Sequence, residues 1–286
     1  MNDQRIAVLT DTGSDCPADF LAAHDVRVVP LRINYSDGSC FESGVDITTA
    51  EVVERFEQEI PKTSLPSPER ISDELRRAQA DGYKAAVFVS ISSGLSATCD
   101  TVRMVARTMG DFPVVVVDTL NIGIAAGLVV MEAVRQIEEG VPLSDLERTL
   151  GMVAKNTNVF FTVRDLEYLR RGGRITEAIY RLGSVLNIKP VLTCDEEGHY
   201  TIAKKARGWE RSLDTEIKLI EGLAARYPKC RLAVSCTSAC ADLYETMEQK
   251  LLERVKNSVE VVRSEISPAL LVHTGPTLVG VAVQGL

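Results

Sequence analysis

The sequence predicts an α/β protein of two domains, with a parallel sheet in the first half and a mixed sheet in the second. Short apolar runs alternate with helix-spaced segments through the first half, which is typical of a parallel sheet covered on both faces. In the second half, two apolar runs flank Glu196-Glu197-Gly198 and indicate a β-hairpin. The 286 residues, 45% of them hydrophobic, can bury two modest cores. We expect domains at residues 1–155 and 156–286.

The first half alternates strands and helices with clear start and stop residues. Pro17 stands where a helix begins, and Asp37-Gly38 suggests a hairpin turn. Thr48 caps one helix, and Ser144 is expected to cap another after Gly140-Val141-Pro142. The expected strands are residues 6–10, 26–35, 85–90 and 114–117, and the expected helices are residues 48–56, 69–80 and 124–139.

Residues 61–68 carry three prolines around the adjacent Thr63 and Ser64. Because proline fixes φ and has no amide hydrogen, we expect this stretch to lack regular structure. A stiff loop with two hydroxyls either holds a ligand or caps a helix, and the sequence leaves both uses open.

A second hydroxyl-rich turn follows the strand at residues 85–90 and precedes a helix. Four hydroxyl residues and one glycine lie within a short span, namely Ser92, Ser93, Gly94, Ser96 and Thr98. The first turn of a helix has unpaired N–H groups and a partial positive charge, so such a turn suits a carboxylate or a phosphate. The alternative is an ordinary helix cap with spare serines.

The second half repeats the strand and helix signals in a less regular order. The expected strands are residues 159–163, 189–193, 200–204, 232–236, 259–262 and 277–283, and the expected helices are residues 165–171, 209–225 and 243–255. Arg170, Arg171 and Arg174 cluster at the end of the first of these helices. They either complement the helix dipole in solvent or form an electropositive spot for an anion or an acidic partner.

Charge and cysteine usage exclude several classes of partner. The formal charge is 32 − 40 = −8 without a basic run, which argues against nucleic acid or an anionic membrane. Seven cysteines without a CxxC pair and three histidines indicate neither a disulfide framework nor a metal site. With no signal-peptide pattern, and with residues 122–131 too short to span a bilayer, we expect a soluble cytoplasmic protein.

Catalytic motifs are missing from the sequence. It contains no GxxxxGK[ST] loop, no HExxH and no GxSxG elbow. A hydrolytic triad of Ser93 or Ser96 with His273 and Asp11 remains an alternative, because triads are recognised by geometry. His273 either forms a structural hydrogen bond or faces a ligand.

Six segments spread along the chain resemble the DegV family in their order. They are Thr10-Asp11-Thr12-Gly13-Ser14-Asp15, Lys62-Thr63-Ser64-Leu65-Pro66-Ser67-Pro68, Ser92-Ser93-Gly94-Leu95-Ser96-Ala97-Thr98, residues 166–175 (LEYLRRGGRI), residues 186–192 (LNIKPVL) and His273-Thr274-Gly275-Pro276. The resemblance implies the DegV (EDD) fold, with a Rossmann-like, mostly parallel sheet and a second α/β domain with a mixed sheet.

The resemblance also implies a function. Proteins of this family bind one long-chain fatty acid such as palmitate, with the carboxylate on hydroxyls and the acyl chain in a buried tunnel. Some are the non-catalytic subunit of bacterial fatty acid kinase, which presents the carboxylate to a separate dihydroxyacetone-kinase-like subunit that makes acyl phosphate. No cofactor is implied. The alternatives are a lipid-sensing regulatory protein without a kinase, or a hydrolase of a lipid or small carboxylate.

The matching positions give the expected site. Thr63 and Ser96 correspond to the hydroxyls that bind the carboxylate, and the neighbours expected to contact the ligand are Ser93, Ser64, His273 and Asn121. Arg170 and Arg174 correspond to the basic segment at the tunnel mouth and would meet the kinase. The apolar residues 124–134 are either tunnel wall or plain core. Gly13, Cys16 and Leu65 depart from the family's usual residues, which bears on acyl-chain preference.

Overall fold

A four-stranded parallel sheet forms the first layer of the molecule. A computed structural model describes residues 1–184 and 188–286, and of Ser184 only the backbone. The strand order is β2-β1-β6-β7. Its strands are β1 (Ile6–Asp11), β2 (Arg27–Val29), β6 (Ala85–Ser90) and β7 (Val114–Asp118). Every residue of the two central strands, β1 and β6, is buried, as expected for parallel strands covered on both faces.

The expected strand at residues 26–35 is divided between two sheets. It breaks at Pro30-Leu31, because proline cannot donate to a continuing ladder. After the break, β3 (Arg32–Asn34) forms the expected hairpin with β4 (Cys40–Glu42). On its other side β3 pairs with β5 (Lys62–Ser64), so the prediction that residues 61–68 lack regular structure was wrong there. The prolines flank β5 without occupying it, and as an edge strand it needs only one paired side.

A six-stranded mixed sheet forms the second layer, in the order β10-β9-β8-β13-β11-β12. Its neighbours pair antiparallel except for β11 with β12. The strands are β8 (Thr157–Val163), β9 (Ile188–Cys194), β10 (Tyr200–Arg207), β11 (Cys230–Cys236), β12 (Ser258–Glu265) and β13 (Leu278–Gly285). The two-sheet α/β architecture predicted from the sequence is confirmed. The mixed sheet begins at Thr157, while the boundary near residue 156 remains a prediction.

The helix α5 (Ile124–Glu138) lies between the two sheets. It contacts β1 and β6 on one side and β8, β11 and β13 on the other. Its residues 124–131 are all buried. Because strands cover this part of the helix on both sides, it is apolar all round and has no polar face. Most of this segment is therefore core, and Ile124 also lines an inner cavity.

Most of the remaining helices pack on the sheets, beside α5 or against one another. The remaining helices are α1 (Ala18–Ala23), α2 (Thr49–Arg55), α3 (Pro68–Ala80), α4 (Thr98–Ala106), α6 (Leu143–Lys155), α7 (Glu167–Arg171), α8 (Glu177–Ser184), α9 (Trp209–Ala224), α10 (Leu243–Arg254) and α11 (Pro268–Thr274). Thr48 caps α2 in a full capping box with Glu51. Pro142, rather than the expected Ser144, precedes the first residue of α6.

Two short helices were missed in the sequence. The eight-residue α8 follows the arginine cluster, and the seven-residue α11 begins at Pro268 directly after Ser267. Both are too short for a clear periodic signal. In the segment at residues 186–192, Leu186 and Asn187 lie outside the described residues, and the rest belongs to β9. Within residues 1–184 and 188–286, no helix has the length and apolar character needed to cross a bilayer.

Candidate functional site

A cavity of about 530 Å³ brings together most of the residues expected at the site. Its lining joins β5, the serine turn after β6, α11 and the loop after α7. The expected ligand contacts that line it are Thr63, Ser64, Ser93, Ser96 and His273, together with Arg174. We call this space the mouth cavity. Its volume lies within the usual range for small-molecule sites.

A short polar contact on the mouth cavity joins Thr63 to His273. The Thr63 hydroxyl lies 2.6 Å from Nε2 of His273. Thr63 lies on edge strand β5, and His273 lies in the last turn of α11. Nε2 of the His273 ring faces Thr63, and Nδ1 faces Gly172. A Cβ at Gly172 would lie 2.2 Å from Nδ1 of His273, so this glycine is required for the close approach.

His273 is neutral in this setting. Burial, assisted by the charge of Arg174, lowers the pKa of His273 to about 3. Its Nδ1 is buried without a hydrogen-bond partner, and an orphaned N–H is rarer in proteins than an unused lone pair. The tautomer with the proton on Nε2 is therefore favoured, and Nε2–H donates to Thr63. The Thr63 hydroxyl proton is then available to a ligand oxygen.

Hydrogen bonds within the serine turn fix its shape. The Ser92 hydroxyl donates to the Gly198 carbonyl and accepts from the Gly94 amide. Helix α4 follows Ala97 without a side-chain cap, so the helix-cap alternative does not describe this turn. The Ser96 hydroxyl lies 2.8 Å from that of Thr98 and accepts from the Thr98 amide. When the Thr98 hydroxyl donates to Ser96, the hydroxyl hydrogen of Ser96 is free to donate into the cavity.

The β9–β10 hairpin closes over the serine turn. A Cβ at Gly94 would lie 2.6 Å from the Glu197 carbonyl oxygen, so only glycine fits beneath the hairpin. This contact joins the two halves of the chain at the mouth cavity. The sequence shows the hairpin and the turn separately, and no local pattern indicates that they meet.

Arg174 supplies positive charge to the mouth cavity, whereas Arg170 lies away from it. The Arg174 guanidinium donates to the carbonyls of Gly172 and Leu95, and burial lowers its pKa. Within residues 1–184 and 188–286 it forms no ion pair with a carboxylate. Arg170 instead pairs with Glu167 at 2.7 Å, on its own helix.

Asn121 is not among the residues that line the mouth cavity. Its side-chain amide donates to the backbone carbonyls of Thr119, Ala154 and Thr157. These bonds occupy the amide hydrogens and fix the chain between β7 and α5, so we assign Asn121 no ligand contact. Ser64 does reach the cavity, where its hydroxyl accepts from Asn34.

The residues proposed for a hydrolytic triad do not contact one another. His273 bonds to Thr63 rather than to a serine. Both oxygens of Asp11 accept backbone amides, from Gly13 and Ile91. A histidine with a pKa near 3 is also a weak general base at neutral pH. Among the described residues, this arrangement lacks the contacts that activate a nucleophile.

An apolar inner cavity lies behind the mouth cavity. Ile122, Tyr200 and Leu270 line both cavities, so their side chains lie between the mouth cavity and the inner cavity. The inner cavity has a volume of about 30 Å³, enough for one or two waters. Most of its wall is apolar, with contributions from the mixed sheet, from the start of α5 and from α11. Tyr200 carried no motif in the sequence, so its role between the cavities was not predicted.

One group of side chains could geometrically hold a metal ion in the described part of the chain. Asp195, Glu197 and His199 lie within 4.8 Å of one another at the tip of the β9–β10 hairpin. Asp195 already accepts the backbone amides of Glu197 and His199, which explains the clustering as turn geometry. We assign no metal to it.

The structure combines an α/β fold of a parallel and a mixed sheet with a hydroxyl-lined cavity in front of an apolar one. The chain belongs to the DegV family, since the profile described as "Uncharacterised protein, DegV family" matches residues 5–285. The resemblance noted in the sequence is thereby confirmed. A DegV domain-containing protein of Clostridium perfringens is 32% identical over 289 residues, which cover 98% of this chain and 99% of the relative.

Solved structures share the whole fold. A structure described as "Fatty Acid Binding of a DegV family Protein from Thermus thermophilus" is 31% identical and has a TM-score of 0.90, covering 99% of this chain and 100% of that one. DegV from Bacillus subtilis, described as a fatty acid binding protein, has a TM-score of 0.86 over 98% of this chain and 99% of its own. At 22% identity, that second likeness shows the fold alone.

Proposed function

We propose that this protein binds one long-chain fatty acid and presents its carboxylate to a separate kinase subunit. The observation that carries the proposal is the Thr63–His273 hydrogen bond at the mouth of a cavity with an apolar interior behind it. Thr63 and Ser96 hold the carboxylate, Ser93 and His273 support it, and the acyl chain extends past Tyr200. The fatty-acid-binding description of the Thermus thermophilus relative supports the same ligand.

The energetics suit an amphipathic ligand. A charge-assisted hydrogen bond to the carboxylate contributes about 1.5–3 kcal/mol, and each buried CH₂ contributes about 0.8 kcal/mol. A sixteen-carbon chain thus gains on the order of 10 kcal/mol before the entropy costs of binding. Most of the affinity comes from the chain, and the hydroxyls fix the position of the head group.

The small inner cavity implies that binding rearranges side chains. A volume of about 30 Å³ admits water and not an acyl chain. The side chains shared by the two cavities, Ile122, Tyr200 and Leu270, must therefore move when the chain enters. We expect slow loading of free protein and long retention of the ligand, because both need this movement.

Arg174 and Arg170 have different parts in the proposed transfer. Arg174 lies on the mouth cavity without a carboxylate partner in the described ranges, so it offsets the charge of the head group and of the acyl phosphate formed there. Arg170 is half-exposed on α7 and faces a partner. The protein itself contributes binding and positioning, and the kinase contributes catalysis.

Reconstitution tests the kinase step. Delipidated protein is loaded with palmitate and mixed with ATP, Mg²⁺ and a dihydroxyacetone-kinase-like subunit, and acyl phosphate is trapped with hydroxylamine. The proposal predicts product only when both proteins are present. Palmitate binding without product from any such subunit would favour the lipid-sensing alternative, and product from this protein alone would make it an enzyme.

A further inference from the structure

The inner cavity ends at an unpartnered carboxyl group. Asp15 is 7% exposed and lines this cavity together with Gly123. Its Oδ1 accepts the backbone amide of Ser267, whereas its Oδ2 is buried without a hydrogen-bond partner. A Cβ at Gly123 would lie 3.3 Å from this Oδ2, which places the atom beside another cavity-lining residue.

Nothing nearby neutralises the Asp15 carboxylate. No ion pair of Asp15 occurs between residues 1–184 and 188–286, and although the hydroxyl and the amide of Ser267 lower the pKa of Asp15, burial outweighs them. Burial raises the pKa of Asp15 to about 8, so the group is largely protonated at neutral pH. A buried carboxylic acid has a proton to donate and oxygens that accept.

We infer that Asp15 is a specificity-determining residue that recognises a hydroxyl group on the distal part of the acyl chain. The inference rests on the proposed function, and it assigns the ligand class as long-chain fatty acids that carry one hydrogen-bonding oxygen. A purely apolar tunnel disfavours such ligands, because a buried hydroxyl without a partner is costly. The free Oδ2 at the cavity end removes that cost for one position of the hydroxyl.

Competition between stearate and a series of monohydroxystearates tests the inference. The hydroxyl is moved along the distal half of the chain, and each isomer competes with stearate for delipidated wild-type protein, with bound ligands quantified by native mass spectrometry. One isomer is expected to bind at least as tightly as stearate and about tenfold or more tightly than the other isomers. If all isomers bind more weakly than stearate to a similar extent, the inference is overturned.

Variants locate the effect. Asp15→Gly removes the carboxyl and suits the left-handed backbone of residue 15, where φ is 45°. Asp15→Gly should reduce the affinity for the favoured isomer to that for the other isomers. Asp15→Asn, which keeps a hydrogen-bond donor, should retain part of the preference. Asp111→Asn is the control, an exposed carboxyl that lines neither cavity and should change nothing. A preference that persists in Asp15→Gly overturns the assignment to Asp15.

The competition experiment with wild-type protein still tests the inference if Asp15→Gly fails to fold. The inference and the proposed function also fail in different ways. Stearate binding without an isomer preference removes the inference alone. Absence of binding by stearate and by every isomer removes the proposed function as well.

Discussion

The hydroxyl of Thr63 and Nε2 of His273 lie 2.6 Å apart although 210 positions separate them in the sequence. An edge strand carries one residue and a short helix carries the other, so the contact depends on the assembled fold. The neutral imidazole donates to Thr63 and leaves the hydroxyl proton for the ligand. The pair therefore fixes a neutral donor at the mouth of the cavity.

Thr63→Ala should weaken palmitate binding by about 10- to 100-fold, because it removes a donor worth about 1.5–3 kcal/mol to a carboxylate. Isothermal titration of delipidated protein measures the change. Ser64→Ala is the matched control, since its hydroxyl is bonded to Asn34 and not to His273 and should matter less. Equal affinities for wild type and Thr63→Ala would remove Thr63 from the site.

Gly94→Ala should destabilise the protein by about 1–3 kcal/mol, because the new Cβ meets the Glu197 carbonyl at 2.6 Å and backbone atoms cannot easily move. Urea unfolding measures the loss. Gly151→Ala is the control within α6, where no atom lies within 4 Å of the added Cβ, and it should stabilise by about 0.5–1 kcal/mol. Equal stability of the Gly94→Ala variant and wild type would show that the hairpin does not press on the serine turn.

Asp15→Asn should change how stability depends on pH. The pKa of Asp15 is about 8 in the folded protein, whereas its ordinary value, which applies in the unfolded chain, is 3.8. Between these two pH values the folded protein therefore binds one proton more at Asp15 than the unfolded chain does. Its stabilising contribution is complete below about pH 4 and is lost as pH rises towards 8, by up to about 1.4 kcal/mol per pH unit.

The comparison isolates Asp15 from other titrating groups. Asp11, with its pKa raised to about 6 by burial, acts in the same direction, and His273, with its pKa lowered to about 3, acts in the opposite one. Both are present in wild type and variant alike. Urea unfolding at several pH values should show wild type losing stability relative to Asp15→Asn from pH 4 to 8. A difference that does not vary with pH would contradict the protonated carboxyl.

Arg174→Gln and Arg170→Ala should separate head-group binding from partner contact. Arg174 lies on the mouth cavity, so its loss should weaken palmitate binding several-fold and reduce acyl phosphate formation. Arg170 pairs with Glu167 and lies over the Tyr180 ring, and it does not line the mouth cavity, so its loss should leave binding unchanged and reduce acyl phosphate formation alone. Binding lost in Arg170→Ala would give that residue a structural role instead.

The sequence predicts the sheets and the hydroxyl clusters because their signals are local. The apolar runs of β1 and β6 and the glycine-containing serine turn are each visible within a few residues. The pairing of β5 was missed because three prolines surround it, and an edge strand depends on its partner β3. Asp15 and Tyr200 were given no role because the burial of a polar group is decided by distant elements. Asn121 was expected near the ligand, whereas the backbone carbonyls around it use its amide.

Native mass spectrometry of freshly purified protein, followed by solvent extraction, shows whether the protein carries a fatty acid. We expect one long-chain fatty acid per protein molecule, retained because the cavity must open to release it, and extraction identifies its chain. A spectrum that is free of ligand, and stays free after palmitate and oleate are added, would contradict fatty acid binding and leave the mouth cavity to a different anion.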